Sequence, residues 1–305
     1  MNCLYFYNNQ SGKNKLEKKK DYIINRLKTK YDIIECYDSS SFDDMIKNFN
    51  ANKHYDAIVF AGGDGTVNSM LNWTKNLSYT PTFGYIPSGT VNDFAKNLNL
   101  NKNVKKSVDV ILNGQTKQID CFKNGDRLGI YVCCTGIFTT ASYDATRKAK
   151  KKFGKLAYYF HSIKELFTHR AYTIEITNDN KTQKLHSVLT LLINSKSVAG
   201  YKFNKNVDIN DGEMEFLSIN QKKDKFGFKS LMLIAKLFLF GINSVKKNKN
   251  VTYFKFKKLQ VNFEKKRTIN IDGENGGEGD INIEVLPNKV KFFSKEQWGK
   301  QWRKK

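Results

Sequence analysis

Short apolar runs and amphipathic segments alternate along the first third of the chain. The apolar runs end in turn or polar residues and are Cys3–Tyr7, Ile33–Tyr37, Ala57–Ala61 and Phe83–Ile86. Between them lie segments that suit helices, namely Lys15–Lys28, Phe42–Phe49 and Val67–Trp73. Strands alternating with helices predict βαβ units, and so an α/β domain with a parallel sheet and helices on both of its faces. Ligands of such sheets bind at the carboxyl ends of the strands.

The pattern changes after about residue 115, where alternating runs are joined by turns rich in Asn, Asp and Gly. We predict strands at Ile119–Phe122, Leu128–Cys134, Thr173–Thr177, Ser187–Ile193, Met214–Ile219, Tyr253–Phe256, Gln260–Phe263, Thr268–Ile271 and Ile281–Val285. Such a series favours a mainly antiparallel β-sandwich as the C-terminal domain. Two helical patterns interrupt it, Lys155–Phe167 and Phe226–Phe240. For the second, burial in a core is favoured over contact with a membrane.

Composition narrows the class of protein. The 305 residues, 40% of them hydrophobic, suffice for one large domain or two modest ones. The odd number of cysteines, five, argues against a disulfide framework, and no signal-peptide pattern is present, so we expect a reducing cytosol. The longest apolar stretch, Leu231–Ile242, is shorter than the ~20 residues of a spanning helix, so an integral membrane protein is not expected.

The formal net charge of +23 raises the question of an anionic partner. Nucleic acid, an anionic membrane leaflet or a phosphorylated small molecule would each fit, and so would a lysine-rich solvated surface. The basic run Arg147–Lys155 has aromatic neighbours and leaves two interpretations open, docking on anionic lipid and a solvated charge run. Helix-turn-helix, RNP and zinc patterns do not occur in the sequence, which disfavours a nucleic-acid binder.

A glycine-rich loop follows the third predicted strand and carries the strongest candidate chemistry. Glycines permit positive φ and a close backbone approach to phosphate, and the helix start offers N–H groups to the anion. Asp64 would hold Mg²⁺, through water, and Thr66 would hydrogen-bond a phosphate oxygen. The alternative, a tight strand-to-helix turn with Asp64 as a helix cap, is disfavoured by the three flanking glycines. The predicted phosphate site is therefore the loop formed by Gly62, Gly63, Asp64, Gly65 and Thr66.

A second loop, Pro87–Asp93, repeats this arrangement one strand later. Gly89 permits backbone approach, Thr90 offers a hydroxyl and Asp93 adds a second carboxylate. Two acidic groups on neighbouring loops suit a Mg²⁺–nucleotide complex. Asn92 and Asp93 could at the same time cap the following helix.

Two further segments are weaker candidates. The loop after the first strand comprises Asn8, Asn9, Gln10, Ser11, Gly12 and Lys13. It is too short for a Walker A motif, although its Ser-Gly-Lys turn could contact phosphate. Late in the chain, Asp272-Gly273-Glu274 places two carboxylates in a turn after a strand. A carboxylate there could accept the proton of an attacking alcohol in phosphoryl transfer, but such a turn is often only structural.

Together, Gly-Gly-Asp-Gly-Thr, the motif Gly89–Ala95 and the late Asp-Gly-Glu resemble the diacylglycerol kinase catalytic-domain family, and more narrowly its soluble bacterial and YegS-like members. The resemblance implies an ATP-binding domain at 1–118, completed by the tail 289–305, and a β-sandwich domain for the lipid substrate at 119–288. It implies ATP contacts at Asn8–Gly12, Ser39, Gly62–Asn68 and Thr90. It also implies that Asp64 and Asp93 organise catalytic Mg²⁺, and that Glu274 is the proton acceptor, with Asp272 its competitor.

The resemblance implies a structural Mg²⁺ as well, at the turn Asp208–Glu213. The Asp211 carboxylate would bind it together with the carbonyl groups of Asp208 and Glu213. Without the family this segment is a plain Asp-Gly turn or a weak site for a hard cation. Asn9 stands where the family commonly has proline, so we expect the first loop, with Asn9 and Gln10, to be less rigid than in the family.

The sequence thus predicts a Mg²⁺- and ATP-dependent lipid kinase that converts diacylglycerol to phosphatidic acid. We expect a cytoplasmic enzyme that associates peripherally with the anionic inner face of the membrane and does not bind nucleic acid; the resemblance also suggests a homodimer. Two alternatives stay open, a YegS-like kinase for another lipid alcohol and a NAD kinase. The NAD kinase shares the first glycine loop but is disfavoured by the second.

Overall fold

The computed structural model describes residues 1–7, 17–38, 53–136, 171–179, 181–204, 207–221 and 227–295. The chain divides into two compact units. The N-terminal unit comprises Met1–Ile119 with Asn288–Lys305, and the C-terminal unit comprises Asp120–Pro287.

The N-terminal unit is built on a parallel sheet. Its first four strands are β1 (Asn2–Tyr7), β2 (Ile33–Asp38), β3 (Ala57–Gly62) and β4 (Thr82–Pro87). β1 lies between β2 and β3, and β4 follows β3. A strand from the end of the chain, Ile281–Ser294, places Lys291 and Phe292 beside β4, again in parallel. Strands β1, β3 and β4 are rich in buried apolar residues, as expected for strands covered on both faces, whereas residues 33–37 of the edge strand β2 are exposed or half-buried.

Helices cover both faces of this sheet. They are α1 (Lys20–Leu27), preceded by a 3-10 turn at Glu17–Lys19, α2 (Asp64–Thr74), α3 (Asp93–Asn97) and α4 (Val104–Asn113). Ile23 of α1 and Val108 of α4 pack against Tyr5 on one face of β1. On the opposite face, Trp73 of α2 meets Phe6 edge-on at 5.2 Å. The prediction of an α/β domain with helices on both faces is therefore confirmed.

The C-terminal unit is mainly antiparallel. Its strands are β5 (Gln115–Asn124, which begins in the N-terminal unit), β6 (Arg127–Gly129), β7 (Val132–Gly136), β8 (Tyr172–Asn178), β9 (Lys181–Ile193), β10 (Ser197–Val198), β11 (Tyr201–Lys202), β12 (Met214–Asn220), β13 (Val251–Phe256), β14 (Lys258–Phe263), β15 (Thr268–Ile271), β16 (Glu274–Glu278) and β17 (Ile281–Ser294). Helix α5 (Phe228–Phe240) interrupts the series.

The long strand β9 organises this unit. Its first half pairs with β8, and its second half pairs with β7 and β12, in each case antiparallel. Apolar residues from β8, β12 and β14 share one core, which includes Ile174, Phe216 and Val261. The predicted antiparallel sandwich is confirmed. None of the helices in the described ranges is both long and apolar enough to cross a membrane.

Some boundaries differ from the predicted ones. The predicted strand Leu128–Cys134 is divided into β6 and β7, because the N–H groups of Ile130 and Tyr131 turn toward a buried carboxylate. β17 runs nine residues beyond the predicted end at Val285, to Ser294. Helices α3 and α4 are additions. The predicted helices Phe42–Phe49 and Lys155–Phe167 and the basic run Arg147–Lys155 lie outside the described residues.

Candidate functional site

The two glycine loops leave the same edge of the parallel sheet. Gly62, the last residue of β3, pairs with Pro87, the last residue of β4, so both loops begin at the same level. Each loop then enters a helix, α2 at Asp64 and α3 at Asp93. The first N–H groups of a helix lack intrahelical partners, so α2 directs the positive end of its dipole toward this edge.

The loops touch through their backbones at Gly63 and Gly89. A methyl group placed on Gly89 would lie 2.5 Å from the Cα of Gly63, and one on Gly63 would lie 3.3 Å from the Cα of Gly89. The N–H groups of Ser88 and Gly89 both donate to the carbonyl of Gly62, at 2.8 and 3.2 Å. The site therefore needs glycine because the loops approach so closely. Positive φ is not what requires glycine here, since Gly62, Gly63 and Gly89 do not adopt it.

Thr66 closes the first loop from the side of the helix. A methyl group on Gly62 would lie 2.2 Å from the Thr66 hydroxyl oxygen, so that hydroxyl sits directly over the backbone of β3. It is half-buried, in the first turn of α2. This is where the predicted contact with a phosphate oxygen would have to be made.

Asp64 joins the two loops. One carboxylate oxygen accepts the N–H of Asp93 and the other accepts the N–H of Phe94, both at 3.0 Å. Asp64 therefore caps α3, the helix of the neighbouring loop. The alternative of Asp64 as a helix cap is therefore correct in part, because Asp64 does cap a helix, but it caps α3 of the second loop and not its own helix α2. The Asp64 side chain is half-buried, so the cap does not enclose it.

Asp93 and Asn92 are both buried, and they fix the second loop. Asp93 forms an ion pair with Lys96, 3.1 Å away on the next turn of α3. Asn92 has φ of 57°, a left-handed conformation that asparagine tolerates better than most residues. Its amide donates to the carbonyl of Gly89 at 2.9 Å, and its Oδ1 accepts the hydroxyl of Tyr85 at 3.3 Å.

The pKa of the Tyr85 hydroxyl depends on its burial and on the two nearby carboxylates. Burial raises its pKa well above the usual range, and the negative charges of Asp64 and Asp93 raise it further. Its hydroxyl therefore stays protonated and bridges Asn92 to the carbonyl of Gly62. Tyr85 is a member of the site that the sequence analysis missed, because within the apolar run of β4 it looks like an ordinary core residue.

The other predicted nucleotide contacts differ in accessibility. Val67 and Asn68 are buried in α2, where Asn68 accepts hydrogen bonds from the Asn72 amide. Thr90 is exposed, and its carbonyl accepts a hydrogen bond from Lys102 at 2.6 Å. The remaining predicted contacts lie outside the described residues: Asn8, Asn9, Gln10, Ser11, Gly12, Lys13 and Ser39.

In the C-terminal unit, Asp272 is a buried anchor. It has φ of 53° and is 1% exposed. Its carboxylate accepts three backbone N–H groups, from Ile130, Tyr131 and Val132, at 2.8 to 3.0 Å. Through these three bonds the carboxylate holds the connection between β6 and β7 against the end of β15.

Glu274 is placed differently. It begins β16 and is exposed, paired across the hairpin with Ile271. The turn before it is fixed by Gly273, which has φ of 87° and donates its N–H to Asn270 at 2.8 Å. Of the two carboxylates that the sequence left in competition, Glu274 is the exposed one.

The acidic turn Asp208–Glu213 is also ordered by its own side chains. Asp211 accepts the N–H of Glu213 at 3.1 Å and forms an ion pair with Lys255. Asp120, which the sequence analysis did not single out, is buried on β5 and accepts the N–H of Gly212 at 2.7 Å. A charged residue within an apolar run was the available signal for Asp120.

The carboxylates described above could bind a hard cation such as Mg²⁺ only together with other ligands, such as phosphate oxygens and water. Among the described residues, no group of three or more His, Cys, Asp or Glu side chains is arranged to hold a metal ion. Mg²⁺ in kinases is often held by one or two carboxylates together with substrate phosphates and water. Asp64 with Asp93 fits that pattern, although the ion pair with Lys96 makes Asp93 the weaker donor.

Two family models match the chain in succession. Residues 2–124 match the diacylglycerol kinase catalytic domain, and residues 132–294 match the YegS C-terminal NAD kinase beta sandwich-like domain.

Relatives and solved structures agree with these matches. A diacylglycerol kinase from Bacillus subtilis is 32% identical over 229 residues, which is 74% of this chain and 73% of that protein. One from Staphylococcus aureus is 28% identical over 292 residues, covering 94% and 90%. The crystal structure of a putative diacylglycerol kinase from Bacillus anthracis superimposes with a TM-score of 0.79, at 22% identity, over 96% of this chain and 95% of that one. This structural similarity shows that the fold is shared.

Proposed function

Since the chain belongs to the diacylglycerol kinase catalytic-domain family and is therefore a lipid kinase, we propose that it transfers the γ-phosphoryl group of ATP to the hydroxyl of diacylglycerol, giving phosphatidic acid and ADP. The observation that carries the proposal is the contact between the two glycine loops, with Asp64 bound to the N–H groups of Asp93 and Phe94. It supports a rigid, glycine-lined cradle for a phosphate chain at the end of a parallel sheet.

In this proposal the N-terminal unit binds ATP and the C-terminal unit binds the lipid. The start of α2 offers its N–H groups to phosphate oxygens, and the Thr66 hydroxyl adds a donor beside them. Gly62–Asn68, Thr90 and Asn92 form the described part of the nucleotide site, in which Asn92 positions the loop. The residues Asn8–Lys13 and Ser39 would complete it.

Mg²⁺ would be held by Asp64, with Asp93 beside it, and by the phosphates of ATP. A bound Mg²⁺ neutralises phosphate charge as it develops during transfer. The protein's own contribution is to keep Asp64 at a fixed position, which its two bonds to the N-terminus of α3 achieve.

The hydroxyl oxygen of the lipid forms a bond to the γ-phosphorus while the bond between that phosphorus and the departing ADP breaks. Glu274 accepts the proton that the hydroxyl loses. Asp272 is a positioning residue, since its carboxylate binds three backbone N–H groups. This division of roles follows from exposure, because a base must reach its substrate and Asp272 is buried.

We also propose that Asp211, with the carbonyl groups of Asp208 and Glu213, holds a structural Mg²⁺. Hard oxygen donors in one turn support this, whereas the ion pair between Asp211 and Lys255 competes with it. If the ion binds, millimolar Mg²⁺ will raise the melting temperature of the wild type but not that of Asp211→Asn. An equal rise in both proteins would rule this site out.

The substrate places the enzyme at a membrane. We propose that it is cytoplasmic, that it associates peripherally with the anionic inner leaflet, and that its phosphatidic acid enters phospholipid biosynthesis. The net charge of +23 supports attraction to anionic lipid. A homodimer remains a prediction from the sequence.

The test is a panel of alcohols with radiolabelled ATP and Mg²⁺. Purified protein is incubated with mixed micelles of diacylglycerol, monoacylglycerol, ceramide or phosphatidylglycerol, and separately with NAD. We expect label in phosphatidic acid, with the Asp64→Ala variant as the background. Preferential label in another lipid would assign a YegS-like kinase for that alcohol. Formation of NADP, or label in no lipid at all, would overturn the proposal.

A further inference from the structure

Helix α5 is apolar on both of its faces. Its inner face buries Leu233, Ile234 and Leu237, and Phe238 packs edge-on against Tyr201 at 5.2 Å. Of six large hydrophobic residues that are exposed in the described part of the chain, four lie on this helix, with exposures between 57% and 73%: Phe228, Met232, Leu239 and Phe240. The interpretation of this segment as a core helix therefore holds for one face only.

Four exposed apolar residues of α5 form a stripe along the helix. Phe228, Met232, Ala235 and Leu239 are spaced i, i+4, i+7 and i+11, which places them within an arc of about 60° along the ~20 Å of the helix. That arc lies opposite the buried residues. A surface helix of a globular protein normally carries polar residues there, and an apolar outer face marks an interaction site.

The stripe is carried by a rigidly attached helix. At its C-terminal end, Gly241 has φ of 80° and donates its N–H to Leu237 at 2.8 Å. A methyl group on Gly241 would lie 2.5 Å from the carbonyl oxygen of Phe203, and that carbonyl accepts the N–H of Ile242 at 2.8 Å. The outer face is thus held in a fixed orientation within the C-terminal unit.

The segment that carries the stripe has only basic charges. Gly227–Asn250 contains five lysines and no acidic residue. Lys229 and Lys236 are exposed and lie seven residues apart, so they form a row directly beside the apolar stripe. Lys247 and Lys249 are exposed just beyond the helix. Apolar residues flanked by lysines are the pattern of helices that lie in the interface of an anionic bilayer.

We propose that the outer face of α5 docks on an anionic lipid leaflet, with Phe228, Met232 and Leu239 entering the boundary between headgroups and acyl chains. Lys229 and Lys236 contact lipid phosphates. The proposal rests on the proposed function insofar as it brings the enzyme to its substrate, but the contact itself requires no turnover.

A second copy of the chain fits this face less well than lipid does. In a twofold interface the same patch faces itself, so an antiparallel pair of α5 helices would bring the lysine rows of the two copies, Lys229 and Lys236, to the same side of the apolar contact. Like charges at an interface oppose association, and the segment offers no carboxylate to pair them. An anionic leaflet supplies both the apolar layer and the opposite charge.

The experiment measures sedimentation of the full chain with vesicles, without ATP. Vesicles of equimolar phosphatidylcholine and phosphatidylglycerol are compared with vesicles of phosphatidylcholine alone. We expect Met232→Gln/Leu239→Gln to lower the partition coefficient on the mixed vesicles about tenfold or more, because two exposed apolar side chains no longer enter lipid. Ile33→Gln, which changes an exposed apolar residue of the N-terminal unit, is the matched control and should bind like the wild type.

A second pair of variants tests the charge. Lys229→Glu/Lys236→Glu should weaken binding to the mixed vesicles and reduce its dependence on salt. Lys265→Glu/Lys266→Glu makes the same change of net charge in an exposed turn and should have a smaller effect. Equal effects of the two pairs would show that the overall charge, and not this helix, determines binding, which would overturn the proposal.

Two further results would overturn it. One is vesicle binding by Met232→Gln/Leu239→Gln that equals the wild type. The other is conversion of a dimer to a monomer by that variant with vesicle binding unchanged, which would assign the face to a second copy. Failure of the proposed function is distinguishable: wild type that phosphorylates no lipid would overturn that function while vesicle sedimentation still decides the docking. On a short-chain diacylglycerol dissolved as monomers, the Met232→Gln/Leu239→Gln variant should keep the wild-type rate.

Discussion

Asp64 in the N-terminal unit and Asp272 in the C-terminal unit both follow a buried strand, and both use their carboxylates to bind backbone N–H groups. Asp64 takes two such bonds, from the start of α3, and is only half-buried. Asp272 takes three, from the connection between β6 and β7, and is 1% exposed. The first side chain is therefore partly accessible to solvent, whereas the second is enclosed by the bonds that it makes.

This difference shows how a structural and a chemical role are divided in each unit. In the N-terminal unit the proposed function gives one aspartate both roles, because its cap joins the loops and its half-buried carboxylate is the proposed Mg²⁺ ligand. In the C-terminal unit the roles fall on separate residues, since Asp272 holds the turn and Glu274 is exposed two positions later. Substitutions at the three carboxylates should therefore have three different signatures.

The largest effect is expected for Asp64→Ala. Turnover should fall about a thousandfold or more, equivalent to ~4 kcal/mol, because the proposed Mg²⁺ site and the link between the loops are lost together. The protein should stay folded by circular dichroism, with about 1–3 kcal/mol less stability from two N–H groups that lose their acceptor. Asp64→Asn keeps one acceptor oxygen but has no negative charge, so it distinguishes the effect of the helix cap from that of the charge. A kcat within tenfold of the wild type for Asp64→Ala would remove Asp64 from the catalytic site.

Asp272→Ala should act on stability instead. Three buried N–H groups lose their acceptor at once, and we expect the free energy of unfolding in urea to fall by about 3–5 kcal/mol. Asp280→Ala is the matched control, because the exposed Asp280 accepts a single N–H, from Phe263, at 2.8 Å. A loss no larger than that of the control would show that Asp272 is not an anchor.

Glu274→Gln should lower kcat about a hundredfold, or ~2.7 kcal/mol, because the amide cannot accept the hydroxyl proton. The KM for ATP and the unfolding free energy should stay within about threefold and ~0.5 kcal/mol of the wild type, since Glu274 is exposed. Glu278→Gln, an exposed glutamate on the same strand, serves as the control. If kcat is unchanged in Glu274→Gln, the proton acceptor is another group.

The smallest effect concerns Cys134. Burial raises the pKa of its thiol from 9.0 to about 12, and the negative charge of Asp272 adds to the shift. The folded state therefore disfavours the thiolate. The thiol's contribution to stability is complete below pH 9 and is lost as the pH rises toward about 12.

Alkylation of Cys134 by iodoacetamide, followed by mass spectrometry, measures this titration because only the thiolate reacts. Its rate in the folded wild type should still be rising at a pH of about 11. In Asp272→Asn the midpoint should fall, because a negative charge beside the thiol is removed. Cys36, which is exposed in the N-terminal unit, should keep its midpoint and serves as the internal control. An unchanged midpoint for Cys134 would mean that Asp272 does not act on it as a charge.

Much of the fold was accessible from the sequence. The buried strand Ala57–Gly62 and its glycine loop were predicted almost to the residue, because an apolar run, a glycine cluster and a helix are all local signals. The cap that Asp64 provides was not, because it depends on the register between Gly62 and Pro87 and on a helix of only five residues, too short to show periodicity.

Non-local contacts also explain the remaining differences. The strand predicted across Ile130 and Tyr131 is interrupted because their N–H groups bind Asp272, some 140 positions away. Asp120 and Tyr85 carry no sequence motif, and their importance lies in the partners that folding gives them. Helix α5 has the apolar content of a core helix, and only its placement reveals which residues remain outside. The sequence specified which residues could react, but not which of them would be enclosed.

Strand β17 has a consequence for the order in which the chain can fold during synthesis. Its residues Lys291 and Phe292 complete the N-terminal sheet beside β4, yet they are made about 200 residues after that strand. At ordinary translation speeds β4 is exposed for on the order of ten seconds or more before they emerge. During that time one edge of an apolar strand is open to pairing with other nascent chains. A chain stopped before residue 288 would carry that exposed edge permanently, so the N-terminal unit should be prone to aggregation when it is produced without the last strand.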